Sequence, residues 1–387
     1  MGKSLKIVFF TDTYTPSVDG VVTSIINAKK ELERRGHKVY IFTSGNIGVR
    51  PIAEISKNVF AIHGIKFPKY PQYRVALFTL PLSAKFNSIK PDIVHIHTPF
   101  TVGLSGLAMA KINKLPTVST FHTFFTSRKV MKEYGISGKM GQRLMTKYSW
   151  PYARFFFNKC DAVIAPTYAA EAILRRNGIN NLRVVPNAVD TKRFRPKKAS
   201  LKLRRSLQHK PKDKIVLYVG RLSKEKRLDV LIKAADELRD EDITFVIGGT
   251  GPYQQALRKM VYSKRLHNVK FVGFINDKDL PGYYSAADLF CTPSTFETQG
   301  ITVLEALASG KPVVGAAYPI MEEIIKPGKN GEIFKAGNHI SCAHKIEKVI
   351  NNLKSYKYAA DSIQNYSANA IIDTLLNVYR EVIASKS

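Results

Sequence analysis

Glu297 and Glu305 stand eight positions apart in the run ETQGITVLE, just after the short apolar stretch Leu289–Thr292. That stretch reads as a buried strand and a helix is expected to start near Gly300, so Glu297 falls in a loop at the strand's C-terminal end. The amides of Gln299, Gly300 and Ile301 then become first-turn donors without an intrahelical partner. Such a terminus attracts phosphate through hydrogen bonding and the helix dipole. Glu305 follows by about one and a half turns, roughly 8 Å along the axis. The two carboxylates could hold hydroxyls on either side of a diphosphate, a sugar at one end and a ribose at the other. Taken alone, the pair fits a plainer arrangement better, with Glu297 capping the helix and Glu305 solvated.

Cations that suit a diphosphate occur in IVLYVGRLSKEK, Ile215–Lys226, where a buried strand leads into a glycine turn bearing Arg221 and Lys226. Two positive charges at a strand's C-terminal end would offset the negative charge growing on a departing diphosphate. Lys224 and Arg227 read as well as surface charge. In the N-terminal half, Asp19-Gly20 lies in the loop after the strand Lys6–Thr11, where glycine lets backbone amides approach a ligand or merely turns the chain. His122 follows the strand Thr117–Thr120 and so belongs to the same sheet end, although a histidine beside Phe121 and Phe124 is often a packed one. His95 and His97 share one face of a strand. A zinc pair there needs a third ligand, so no metal is expected, with His97 lining a cleft and His95 structural. Ile247–Pro252, IGGTGP, lacks the dinucleotide-binding spacing and reads as a tight turn in which Gly249 is a contact candidate. Asp240-Glu241-Asp242 lies at the wrong sheet end for catalysis.

The elements that must position these residues alternate. Strands are expected at Lys6–Thr11, Val39–Thr43, Asp92–His97, Thr117–Thr120, Ala162–Ala165 and Arg183–Val185, and again at Ile215–Val219, Thr244–Ile247, Val269–Val272, Leu289–Thr292 and Pro312–Gly315. Helical patterns lie between, including Val22–Arg35, Leu228–Leu238, Gln254–Lys264 and Thr302–Ser309. This is the α/β pattern of parallel sheets with crossover helices, repeated twice. The 387 residues suit two domains of roughly 180 residues each. The boundaries are set at 1–186, 187–364 and 365–387, the last a helix expected to pack back on the first domain. Two doubly wound, Rossmann-like domains facing a cleft would gather ligands at their C-terminal strand ends, with Asp19 and His97 as lining candidates.

The motifs GRLSKEKR and ETQGITVLEALASGKPVV, with DTYTPSVDGVVTSI and FHT at Phe121–Thr123, resemble the retaining glycosyltransferases of family 4 across almost the whole chain. The resemblance implies the GT-B fold. It implies that Glu297 contacts the donor sugar, Glu305 the ribose, and that Arg221 and Lys226 neutralise the diphosphate. It assigns Gly20 to the phosphate-side loop, His122 to positioning the donor sugar, and Phe274, in Gly273-Phe274-Ile275, to the base-contacting stretch. It further implies retention of anomeric configuration, with the leaving phosphate taking the acceptor proton and no divalent metal or other cofactor. SVDGVVTS and ETQG look most like the glycolipid-forming branch, typified by diacylglycerol glucosyltransferases, with phosphatidylinositol mannosyltransferases as near relatives. The expected donor is therefore UDP-glucose, then GDP-mannose, and the expected acceptor a membrane lipid.

Sixty basic against thirty acidic side chains leave a net charge of +30, which favours polyanions or simply solubility. No recognisable nucleic-acid module accompanies it, so nucleic acid is not an expected partner. Arg128–Lys159 carries eight basic residues and one acidic residue among methionines and aromatics. Arg128, Lys129, Lys132, Lys139, Arg143 and Lys147 are candidates for docking on an anionic membrane, the alternative being an ordinary buried helix face with solvated lysines. No apolar run approaches the ~20 residues of a membrane span. Three scattered cysteines and no signal-peptide pattern lead to the expectation of a cytoplasmic enzyme held peripherally at the inner face of the cell membrane. A soluble or polysaccharide acceptor, and a sugar-nucleotide epimerase on the same plan, are the other enzyme readings.

Overall fold

Apolar runs with no solvated face become the central strands. The structure, a computed structural model, describes residues 4–17, 19–48, 50–67, 70–76, 80–126, 139–357 and 359–386. The chain divides into two units, Met1–Ala188 with Ala368–Ser387, and Val189–Ser367.

In the first unit, β1 (Lys6–Thr11) pairs in parallel with β2 (Lys38–Gly45). Beyond β2 lies β4 (Val59–Phe67), which carries β3 (Ile52–Ser56) and β5 (Tyr70–Ala76) as antiparallel partners. On its other side β1 meets β6 (Ile93–Ile96), followed by β7 (Thr117–Thr120), β8 (Ala162–Ala165) and β9 (Leu182–Val184). In the second unit, six parallel strands are β10 (Lys214–Val219), β11 (Ile243–Gly248), β12 (Val269–Gly273), β13 (Leu289–Thr292), β14 (Val313–Ala316) and β15 (Gly331–Phe334). Their order is β12-β11-β10-β13-β14-β15. Both sheets grow outward from one strand, first to one side and then to the other. The reversal falls between β1 and β6 in one unit and between β10 and β13 in the other. Ligands of open α/β sheets bind outside the carboxyl ends of the strands at such a reversal.

The helix Gly20–Arg34 starts earlier than its apolar pattern implies. The Asp19 side chain accepts from Val22 N at 2.9 Å and fixes the first turn two residues before Val22. The last helix, Ala368–Ala384, returns to the first unit. It buries Ile371, Ile372, Leu375, Leu376, Val378, Tyr379 and Val382 in a core shared with Ile7, Phe9, Ile25 and Leu32. Arg35–Asp373 and Arg183–Glu381 ion pairs flank it. At about 1.5–3 kcal/mol for each fully buried large apolar side chain, against ~1 kcal/mol or less for exposed ion pairs, burial holds this helix.

Candidate functional site

In the second unit the reversal brings two loops together. The buried strand β10 ends at Gly220-Arg221 and runs into a 3-10 turn, Lys224–Lys226. The buried strand β13 ends at the loop bearing Glu297. Lys226 Nζ donates to Glu297 Oε1 at 2.6 Å, each side chain about a fifth exposed (20% and 22%). Arg221 is half-buried on the same loop as Lys226. The helix Ile301–Ala308 is capped by Gly300 in the left-handed region (φ 80°), and a Cβ there would come 2.9 Å from Met321 Cε. Among the described residues, the amides of Gly300, Ile301 and Thr302 meet no acceptor. Gln299, also expected at this terminus, is buried.

Glu305 departs from the solvated alternative. Its helix is buried on nearly every side, through Val303, Leu304, Ala306, Leu307 and Ala308, and Glu305 itself is 5% exposed. Tyr284 OH donates to Glu305 Oε2 at 2.9 Å. Burial lifts the Glu305 pKa to about 7, against the lowering effects of the Tyr284 hydrogen bond and nearby Arg193. Burial also pushes the Tyr284 hydroxyl well above its ordinary range. Tyr318 is pushed up to about 12 by burial and by the negative field of Glu297. Tyr284 and Tyr318 carry no motif of their own, and only the fold brings them to the glutamates.

Gly249 stands apart from the ligand-contact expectation. Its φ is 125°, and a Cβ would lie 1.9 Å from the carbonyl oxygen of Gly220. The turn after β11 packs directly on the turn after β10, which accounts for the glycine within the protein itself. Phe274, just past β12, is 54% exposed.

In the first unit, Asp19 is a helix cap where an open loop was expected, also accepting from Thr13 Oγ1 at 3.2 Å, and Gly20 is the first helical residue. Asp12, which sequence reasoning passed over, ties the β1 loop to the β6 loop. It accepts from Thr98 Oγ1 (2.6 Å), Thr101 Oγ1 (2.9 Å) and Val102 N (2.9 Å), capping the helix Thr101–Ile112. Its position directly after a buried strand was the available signal.

His97 turns inward where a cleft-lining side chain was expected, and is 3% exposed. It packs beneath Phe9, and its Nδ1 lies 3.0 Å from His122 Nε2. His95 stacks on His97 with centroids 4.1 Å apart, and His97 on His122 at 5.3 Å. Both His95 nitrogens are engaged, Nδ1 with Tyr379 OH (2.6 Å) and Nε2 with Thr120 Oγ1 (2.7 Å). That leaves no ring nitrogen of His95 for a zinc ion. Desolvation depresses all three rings, His95 and His122 to about 3 and His97 well below its ordinary range. Among the described residues, no group of three or more His, Cys, Asp or Glu side chains could hold a metal ion.

Of the basic docking candidates, Arg128, Lys129 and Lys132 lie outside the described residues, as do the side chains of Lys139 and Arg143. Lys147 is exposed on the helix Lys139–Phe157, beside the exposed ring of Tyr148. No helix among the described residues is long and apolar enough to cross a membrane.

Comparison with known proteins places this geometry in a family. The family described as Glycosyltransferase Family 4 matches residues 18–193, and that described as Glycosyl transferases group 1 matches residues 200–366. The chain is 33% identical over 356 residues to an alpha-monoglucosyldiacylglycerol synthase of Streptococcus pneumoniae, covering 89% of this chain and 78% of that protein. It is 26% identical to a GDP-mannose-dependent alpha-mannosyltransferase of Corynebacterium glutamicum, covering 99% of this chain and 90% of the other. Anabaena HepE, solved with UDP and glucose, shares the fold with a TM-score of 0.76 at 20% identity, over 97% of this chain and 100% of that one. With both sheets built in the same winding order and both halves matched in sequence, the chain belongs to the GT4-type glycosyltransferases of GT-B fold.

Proposed function

We propose that the protein transfers a hexose from a nucleoside-diphosphate sugar, UDP-glucose before GDP-mannose, to a hydroxyl of a membrane lipid, with retention of anomeric configuration. The observation that carries the donor half is the Lys226–Glu297 pair beside the N-terminus of Ile301–Ala308, at the β10/β13 reversal. An ammonium and a set of helix-terminal amides suit the diphosphate, while a carboxylate suits sugar hydroxyls. When a donor binds, Lys226 turns its charge from Glu297 to phosphate and Glu297 accepts from the sugar. Arg221 shares the diphosphate charge, Gly20 borders the phosphates, Phe274 lies by the base, Glu305 holds the ribose, and His122 positions the sugar.

In the transfer step the acceptor oxygen forms a bond to the anomeric carbon as the bond to the diphosphate oxygen breaks. The acceptor proton passes to the leaving phosphate, on the same face. Cationic side chains and helix amides take the developing charge, so the proposed reaction needs no divalent metal.

The lipid acceptor is supported by the diacylglycerol glycolipid named for the Streptococcus relative and by the net charge of +30. The deciding experiment incubates the protein with a panel of nucleotide sugars and extracted lipids, and identifies products by mass spectrometry. A hexosyl lipid made with UDP-glucose is expected, and Glu297→Ala should reduce its formation by about 100-fold or more with the fold intact. Near-normal turnover of Glu297→Ala would sink the donor reading. Glycoside formed only on soluble acceptors would sink the lipid reading.

A further inference from the structure

The histidine column in the first unit ends on the C-terminal helix, and a small cavity interrupts it. We propose that His97 is a positioning residue for His122, and that a hydrogen-bond relay from Tyr379 through His95, Thr120, one buried water and His97 fixes the His122 proton on Nδ1. The inference rests on the reading of His122 as a residue that touches the donor sugar.

The direction of the relay follows from which groups can donate. Tyr379 is fully buried and its hydroxyl is held protonated, so it donates to His95 Nδ1, 2.6 Å away. A neutral His95 accepting at Nδ1 carries its proton on Nε2 and gives it to Thr120 Oγ1 at 2.7 Å. Thr120, accepting there, must place its own hydroxyl proton elsewhere, and no other described side chain or carbonyl takes it.

The pairing of β6 with β7 sets Ile96 opposite Ser119, so one step further puts His97 beside Thr120. Both line a cavity of about 30 Å³ whose other polar side chains are Ser24, His95 and Asn187. A water needs roughly 10–15 Å³ of such space and two to four polar partners. His97 Nε2 is buried with no partner among the described residues. A water that accepts from Thr120 and donates to His97 Nε2 satisfies both atoms. His97 then carries its proton on Nδ1 and donates to His122 Nε2, 3.0 Å away, which leaves the His122 proton on Nδ1. Desolvation keeps every ring neutral, as the relay requires, because a protonated ring has no nitrogen left to accept. Aligned donors of this kind strengthen one another.

The test reads the proton directly, by long-range proton–nitrogen NMR of protein labelled with nitrogen-15 histidine at neutral pH. Wild type should show His122 neutral with its proton on Nδ1. Tyr379→Phe, which removes one hydroxyl and keeps the ring, should move part of the His122 population to the other tautomer. It should also lower kcat about 3–10-fold with donor KM within about twofold. His97→Asn, which keeps an N–H near the Nδ1 position, should retain about a third or more of wild-type kcat, whereas His97→Phe should lose about tenfold or more. A wild-type His122 protonated on Nε2, an unchanged His122 signal in Tyr379→Phe, or His97→Asn no better than His97→Phe overturns the proposal. Normal turnover in His122→Ala would instead remove the role of His122 at the sugar, while the tautomer measurement still decides the relay.

Discussion

Glu305 holds a carboxyl group that is only 5% exposed in the donor-free protein, and its protonation therefore couples to folding. Its pKa rises from the ordinary 4.5 to about 7 because burial penalises the charged form more than Tyr284 and Arg193 favour it. Between those two values the folded protein binds more protons than the unfolded chain. The stabilising contribution is fully present below pH 4.5 and lost as pH rises through 7, a swing on the order of 3 kcal/mol. In the donor-free protein, Glu305→Gln should thus melt at a higher temperature than wild type at pH 8 and at a similar temperature at pH 5. A pH-independent difference in thermal midpoint would contradict this. Glu305 was open to solvent in the sequence reading, although the apolar residues around it in ITVLEALA are the mark of a buried helix. Tyr284, 21 positions upstream, was not legible, because no local spacing relates it to Glu305.

The glycine turns show what an element needs from its neighbours. Gly249 combines a φ of 125° with a site already filled by the Gly220 carbonyl, whereas Gly36 has a φ of 85° and open space around it. Gly36→Ala should therefore cost about 1 kcal/mol from backbone strain, and Gly249→Ala about 2–4 kcal/mol from strain plus displacement of the β10 turn. Because that turn carries Arg221 and Lys226, Gly249→Ala should also raise donor KM. Thermal midpoints and donor titrations of the two variants check this, and equal effects would refute it. Strands buried on both faces were the legible ones: Lys6–Thr11, Thr117–Thr120, Ala162–Ala165 and Leu289–Thr292 coincide with expectation. The antiparallel additions β3 and β5 were missed, as were the parallel strands β4 and β15; β3 is largely exposed, so little apolar patterning announced it. Helix ends moved by one to three residues because capping side chains, as at Asp19, set them.

For the whole molecule, an excess of thirty positive charges sets behaviour at surfaces. The protein should co-sediment with vesicles containing anionic phospholipid at about 0.05 M salt and be released by about 0.5 M, since screening shortens the reach of each charge. Serine replacements across Arg128–Lys147 should weaken that binding more than donor binding. Unchanged sedimentation of such a variant would remove the basic segment from the membrane reading. Two α/β halves were legible from alternation alone, and so was the common sheet end of the Lys226 and Glu297 loops, from their place after buried strands. The histidine column was not, because it depends on strand neighbours and on a helix from the far end of the chain.

That last helix has a consequence for synthesis. The ribosome completes Val189–Ser367 before it makes Ala368–Ala384, yet Leu5, Phe9, Ile25 and Leu32 of the first unit share their core with that helix. The unit made first is thus the unit finished last. While the second unit emerges, the first waits with an uncovered apolar face, and the nascent chain must be shielded there until its final helix arrives.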